Sequence, residues 1–280
     1  MVAGIHSSTV SGASSGKVSF FLAEITRVFS HSHLKIGDVV CLSEEEAHHV
    51  YKVLRGRIRD RIEVVDGVGK LFVAELLRGR EASIVEERSV EGADADAVTL
   101  YQAVPKGRHM DLVVEKATEL GVGRIVPLVT EQGVVKLEEG DGKVRRWRRV
   151  AEAAARQSLR LRVPEVGETI PFSEAVREVG ETGVLLHNKP DLPPLEEVVL
   201  GSAIGLFVGP EGGWSLAELA MAGEAGLHFA SLGPYRLRSE TAGIVAVARA
   251  CAIRQSMKSA RTADDNSVRV LRDRSRDMES

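Results

Sequence analysis

The chain has only two cysteines, Cys41 and Cys251, in 280 residues, and both sit inside apolar runs. That excludes a disulfide framework or a four-cysteine zinc site and points to a reducing compartment, the cytoplasm. No apolar run approaches the ~20 residues that a membrane-spanning helix needs, so no membrane is expected. An excess of one charge is lacking too, since 37 Lys and Arg against 40 Asp and Glu leave a net charge of −3. A nucleic-acid site must therefore come from local segregation of basic residues. Two familiar signatures are missing: no G-x-x-x-x-G-K-[ST] loop occurs, which removes the common NTPases, and no G-x-S-x-G elbow, which removes most serine hydrolases. Gly121-Val122-Gly123 is present, but it closes a helical pattern and enters a strand. A dinucleotide fold needs the reverse order to bring a pyrophosphate to a helix N-terminus, so these glycines read as a helix C-cap. His48-His49 point to different faces of a helix and have no partners at ligand spacing, so no metal is expected.

Hydrophobic residues make up 44% and charged residues 28% of the chain, ordinary globular composition for one large or two modest domains. Residues 1–17, rich in Ser, Gly and Ala, have neither the apolar core of a signal peptide nor the arginines of a presequence, and read as a disordered tail. From 18 to about 92, short apolar strands alternate with polar turns. Ser43 and Glu46 have capping-box spacing and predict a helix running to about Leu54. Ile62 and Val64 then alternate toward Asp66-Gly67, a tight-turn signal, with Leu71 and Val73 beyond it. This predicts a small β-rich barrel. The acidic, small-residue stretch 91–97 reads as a linker.

From 98 to 258 the period changes. Strands at 98–103, 125–129, 183–187, 203–208 and 228–232 alternate with helices, including an arginine-studded helix over 142–160, and this predicts a parallel sheet covered on both faces. Residues 259–280, Arg-, Asp- and Ser-rich, read as a second mobile tail. Two glycine-rich loops each follow a buried strand. One is Gly209-Pro210-Glu211-Gly212-Gly213-Trp214, leading to a second capping box at Ser215 and Glu218; the other is Leu232-Gly233-Pro234-Tyr235-Arg236-Leu237-Arg238-Ser239-Glu240-Thr241-Ala242. Such loops permit positive φ and close backbone approach to a ligand. A tight strand-to-helix turn explains the first equally well; Arg and Glu crowded at the second are hard to explain as packing.

These two motifs, with His49–Arg55, Lys106–Gly121, Pro127-Leu128 and Arg156–Pro164, resemble the RsmE family of SPOUT methyltransferases over nearly all of 18–257. The resemblance implies a PUA-like RNA-binding β-barrel (18–92) followed by an α/β SPOUT methyltransferase domain (98–258) with a C-terminal trefoil knot. It also implies an enzyme that uses S-adenosylmethionine to methylate N3 of a uridine in 16S rRNA, on the RNA or the assembled small ribosomal subunit, as a homodimer. The cofactor pocket it implies is lined by Leu186, His187, Val208, Gly209, Gly212, Gly213, Leu232, Gly233 and Leu237. A SPOUT enzyme for tRNA or a ribose oxygen, and a non-catalytic assembly factor, are the rival readings.

Uridine N3–H is a weak acid, so catalysis calls for a cation that favours its deprotonated form. Arg238 stays protonated and can hold uracil oxygens or a phosphate while negative charge develops. Glu240 has three readings: orienting Arg238, capping the helix, or receiving the proton. A carboxylate at a helix N-terminus is stabilised in its charged form, which ranks the first two ahead. Phosphate contacts are expected from Arg55, Arg57, Lys106, Arg108, Arg156 and Arg236, although any one of them taken singly is more ordinarily a solvated residue. A broad apolar face of Ile244, Val245, Ala248, Cys251 and Ala252 fits the dimer. The chain departs from the family at Ser19, where an arginine usually precedes the aromatic pair Phe20-Phe21, and at Tyr235, where an arginine usually follows Gly-Pro.

Overall fold

A computed structural model describes residues 27–30, 33–89, 98–133, 142–198 and 204–257. Both expected tails, the linker 91–97 and the Ser19 position lie outside the described residues. The described residues through Arg88, apart from Val65–Leu71, form one compact unit; those from Ser89 onward, with Val65–Leu71, form another.

The first unit is built on β1 (Arg27–Phe29), β2 (Val39–Cys41), β3 (Arg61–Val65), β4 (Leu71–Leu76) and β5 (Glu81–Arg88), in the order β1-β3-β4-β5-β2. Ile62, Val64, Phe72, Ala74, Leu76, Ala82 and Ile84 recur with period 2 and fill its core. The link between β3 and β4 spans five residues, 66–70, with the Asp66 carboxylate accepting from the Val68 and Lys70 N–H groups. Ser43 and Glu46 form the expected capping box on α1 (Glu44–His48). The helix expected to continue to Leu54 instead widens into a π-turn over His49–Val53, closed by Leu54 N–H to the His49 carbonyl at 3.0 Å. A steric demand sits just beyond: a Cβ on Gly56 would lie 3.1 Å from the Val50 carbonyl oxygen and 3.2 Å from Leu76.

The second unit alternates strand and helix: β6 (Val98–Ala103), α2 (His109–Glu119), β7 (Arg124–Val129), α3 (Gly142–Gln157), β8 (Glu165–Val166), β9 (Ile170–Pro171), α4 (Phe172–Val179), β10 (Gly183–Leu186), α5 (Leu195–Val198), β11 (Ile204–Val208), α6 (Leu216–Glu224) and β12 (His228–Ala230). A last helix, α7, covers 239–257. The strand order is β12-β10-β11-β6-β7-β8, with β9 also on β7, and the paired strands are parallel. Alternation along each strand divides the core between the two faces. Leu100, Val184, Leu186, Leu206 and Val208 meet α2, α3 and α7 through Val113, Trp147 and Val247. Tyr101, Leu185 and Phe207 meet α4 and α6 through Phe172, Val176 and Ala222. Tyr101 and Phe207 are register partners and their rings stack at 4.6 Å. Strands expected to end at His187 and Leu232 end at Leu186 and Ala230, because the residues beyond turn into loops. No helix among the described residues is long and apolar enough to cross a membrane.

Gly121 closes α2 at φ 101°, as its C-cap reading requires. The helix expected over 142–160 stops at Gln157, and Arg160, beyond its end, does separate work. Its Nη1 donates to the Thr118 and Val122 carbonyls at 2.9 and 2.8 Å, tying the end of α2 to the segment that follows it. Arg160→Met should therefore lower the unfolding free energy by about 1.5–3 kcal/mol, the scale of hydrogen bonds from a charged donor, read as an earlier urea midpoint at unchanged slope.

Candidate active site

Parallel strands carry their carboxyl ends to one edge of the sheet, and ligand crevices of open α/β sheets form there. β12, β10 and β11 are neighbours, so the chain leaving each of them builds one wall of a shared cavity of about 330 Å³. All nine residues expected at the cofactor line it: Leu186 and His187 after β10, Val208, Gly209, Gly212 and Gly213 after β11, and Leu232, Gly233 and Leu237 after β12.

The loop after β11 is shaped by one large ring. Trp214 Nε1 donates to the Leu186 carbonyl at 3.0 Å, and its ring lies so close to Gly209 that a Cβ there would come within 3.1 Å of it. Gly213 adopts φ 80°, which favours glycine. Gly212 is constrained differently: a Cβ would meet the Gln132 side chain at 3.0 Å. The capping box at Ser215 and Glu218 forms as expected, and the buried Glu218 also accepts the Glu131 N–H at 2.9 Å. In the loop after β12, Gly233 takes φ 128°. Arg249 fixes the adjoining Leu232 carbonyl through Nη1 at 2.9 Å while pairing with Glu196.

Long-range bonds tie the loops together. Ser239 Oγ donates to the Gly209 carbonyl at 2.6 Å and accepts from Gln102 Nε2 at 2.9 Å. Glu211 accepts the Lys106 N–H on its carboxylate at 3.1 Å and an Arg236 Nη2–H on its carbonyl at 2.9 Å. Sequence reasoning passed over Gln102, Glu211, Trp214 and Ser239 as site residues. Trp214 and Glu211 lay within a motif already singled out; nothing local marks Gln102, whose partner is 137 residues away.

Arg238 and Glu240 are not among the residues lining the cavity. Arg238 is exposed, and its guanidinium has no partner among the described residues; its carbonyl accepts the Ala242 N–H at 2.8 Å, which opens α7. Glu240 is 7% exposed and faces His109, with Oε1 3.4 Å from Nδ1. The expectations that it orients Arg238 or caps the helix are thus corrected: residues two apart at a helix start do not face each other, and the carboxylate accepts no backbone N–H among the described residues. Lys106 and Arg108 are exposed beside this edge, and Arg236 lines the cavity. Arg55 and Arg57 are exposed in the first unit, Arg55 at φ 57°. The basic helix α3 is partly engaged within its own unit: Arg156 pairs with Glu152 at 2.6 Å, Arg148 with Glu168, and Arg146 with Asp111, while Arg145 and Arg149 are exposed. Among the described residues no group of three or more His, Cys, Asp and Glu is placed to hold a metal.

Burial, and secondarily the Lys189 charge, push the His187 pKa below its usual 6.5. Both disfavour the protonated ring, so it is neutral at pH 7. An NMR titration of the imidazole should give an inflection below 6.5, and Lys189→Ala should move it upward by removing one repulsive charge.

A family model described as an RNA methyltransferase domain matches residues 93–251, and one described as an RNA methyltransferase PUA domain matches 42–87. The ribosomal RNA small subunit methyltransferase E of Synechocystis is 35% identical over 230 residues, covering 79% of this chain and 75% of that protein. Among the similar solved structures are two with a bound cofactor. The Neisseria gonorrhoeae ribosomal RNA small subunit methyltransferase E, bound to S-adenosylmethionine, is 31% identical with a TM-score of 0.70, over 81% of this chain and 96% of that one. A putative Legionella pneumophila methyltransferase with the same cofactor is 29% identical with a TM-score of 0.71, over 82% and 98%. The second unit is accordingly a SPOUT α/β domain and the first is PUA-like. On its two matched domains and its relatives, the chain belongs to the RsmE family of RNA methyltransferases.

Proposed function

We propose that this chain uses S-adenosylmethionine to methylate N3 of a uridine in 16S rRNA, expected to be uridine 1498 in 16S numbering. The observation that carries the reading is the cavity shared by the ends of β10, β11 and β12, walled by glycine-rich loops and lined also by Arg236. The residues present fit the cofactor: apolar side chains from Leu186, Val208, Leu232 and Leu237 adjoin backbone left approachable at Gly213 and Gly233. Bound there, S-adenosylmethionine supplies an electrophilic methyl group on a sulfonium. A neutral His187 adds no positive charge to repel that sulfonium.

The chain's task toward uridine is to stabilise the anion left when N3–H ionises. Arg238 suits it, because its guanidinium is exposed and unpartnered among the described residues, and the planar fork can hold two acceptor atoms. Arg236 is less free, with Nη2 already on the Glu211 carbonyl. Lys106 and Arg108 supply phosphate contacts on this unit, and Arg55 and Arg57 on the first. The chain is proposed to act in the cytoplasm as a homodimer through α7, whose Ile244, Val245 and Ala248 are half-buried and whose Ala252 is exposed; Cys251 packs partly against its own core.

Nucleoside mass spectrometry of unmodified small subunits incubated with enzyme and S-adenosylmethionine tests the reading. 3-Methyluridine at one site is expected; a ribose-methylated product, or none, overturns it. Charge reversal of Arg55 and Arg57 together should weaken RNA association and flatten its salt dependence while leaving cofactor affinity alone, measured by titrations at several salt concentrations. Arg238→Lys should bind cofactor nearly normally yet transfer methyl at least ~100-fold more slowly in single-turnover assays at saturating cofactor, the scale of losing one preorganised donor to a developing anion. A lysine variant within about threefold of the parent would hand the role to Arg236.

A further inference from the structure

Aromatic residues are only 4% of this chain, and three of them are tyrosines. Two tyrosines are engaged: Tyr51 donates its hydroxyl to the Leu77 carbonyl at 2.9 Å, and Tyr101 is buried against Phe207. Tyr235 is the exception. It is 81% exposed, and neither its ring nor its hydroxyl has a partner among the described residues, yet it lines the cavity. The loop beneath it is tied on both sides, by Arg249 to the Leu232 carbonyl and by Arg236 to the Glu211 carbonyl. A large ring with no internal role, presented on a held backbone at a cavity rim, is poised to meet something flat.

We infer that Tyr235 is the stacking platform for the target base, taking the face of a uracil turned out of its RNA. The inference rests on the uridine-methyltransferase reading above. Enzymes that modify a base must unstack it, and single-stranded bases are held on aromatic faces. The flanking charges suit RNA, a polyanion: Arg236 and Arg238 are both exposed beside the ring, and Arg238 can hold the ionising edge of the same base whose face the ring takes.

The test compares Tyr235→Leu, which keeps apolar bulk without a π face, with Tyr235→Phe, which restores the face. Methyl transfer to unmodified small subunits should fall roughly 10- to 100-fold in kcat/KM for RNA with leucine, as stacking losses predict. Phenylalanine should recover activity to within about threefold. Because Tyr235 lines the same cavity as the cofactor residues, a leucine variant that loses S-adenosylmethionine affinity would assign the ring to the cofactor and overturns the inference. A leucine variant within twofold of the parent, or a phenylalanine variant as slow as leucine, overturns the inference. So does a leucine variant that sediments as a smaller species, since the ring would then be covering a second copy. Anisotropy titration of labelled oligouridylate separates this inference from the functional reading. If the parent binds it and leucine weakens binding about tenfold while no protein transfers methyl, stacking stands and the methylation reading falls. If parent and leucine bind equally, or the parent does not bind, stacking falls whatever the methylation result.

Discussion

The Ser239 hydroxyl is the joint on which the site depends. It lies at the first turn of α7, donates to the carbonyl of Gly209 in the loop after β11, and accepts from Gln102 at the end of β6. Three segments distant in sequence are thereby set at hydrogen-bond distance in a buried place where water cannot substitute. Such a chain is strong when complete and costly when broken, because a stranded donor loses its partner without regaining solvent. Gln102 imposes a further constraint. Its Oε1 crowds the position that a Cβ on Gly243 would take, so α7 needs a glycine one turn in, despite glycine's poor helix propensity. The close approach of α7 to the sheet and the placing of Gly209 follow from this contact.

What was legible in the chain was whatever is written locally. The buried strands at Val98–Ala103 and Ile204–Val208, the two capping boxes at Ser43 and Ser215, and the αL closure at Gly121 all reflect patterns within a few residues, and they appear in the structure. The nine residues that the resemblance assigns to a cofactor converge on one cavity, and parallel strand polarity accounts for that convergence. Illegible were features decided by distant partners. The π-turn at His49–Val53 coincides with the demand of Gly56 for space beside Val50 and Leu76. Glu240 faces His109 on another helix, a pairing across 131 positions of numbering that no spacing rule anticipates.

Charge tells the same story from another side. A helix as basic as α3 reads as a nucleic-acid face, yet Arg146, Arg148 and Arg156 pair with acids of their own unit, and Arg160 beyond it closes α2. With near balance between acids and bases across the chain, a cation count overstates what is left for a polyanion. Exposed arginines without an internal partner, Arg238 above all, carry more weight than the densest cluster.

The order β12-β10-β11 also bears on how the protein comes into being. None of the three walls is complete until its strand has paired, and β12 and α7 are synthesised after the other elements described. Gln102 emerges from the ribosome 137 residues ahead of the serine to which it donates. Contacts of such long range are slow to form, since the intervening chain must be ordered first. A growing chain thus holds an unfinished crevice until its final helix docks, and ligand capture is postponed to the closing step of folding. A chain shortened within α7 would lose its pocket before it lost most of its sheet.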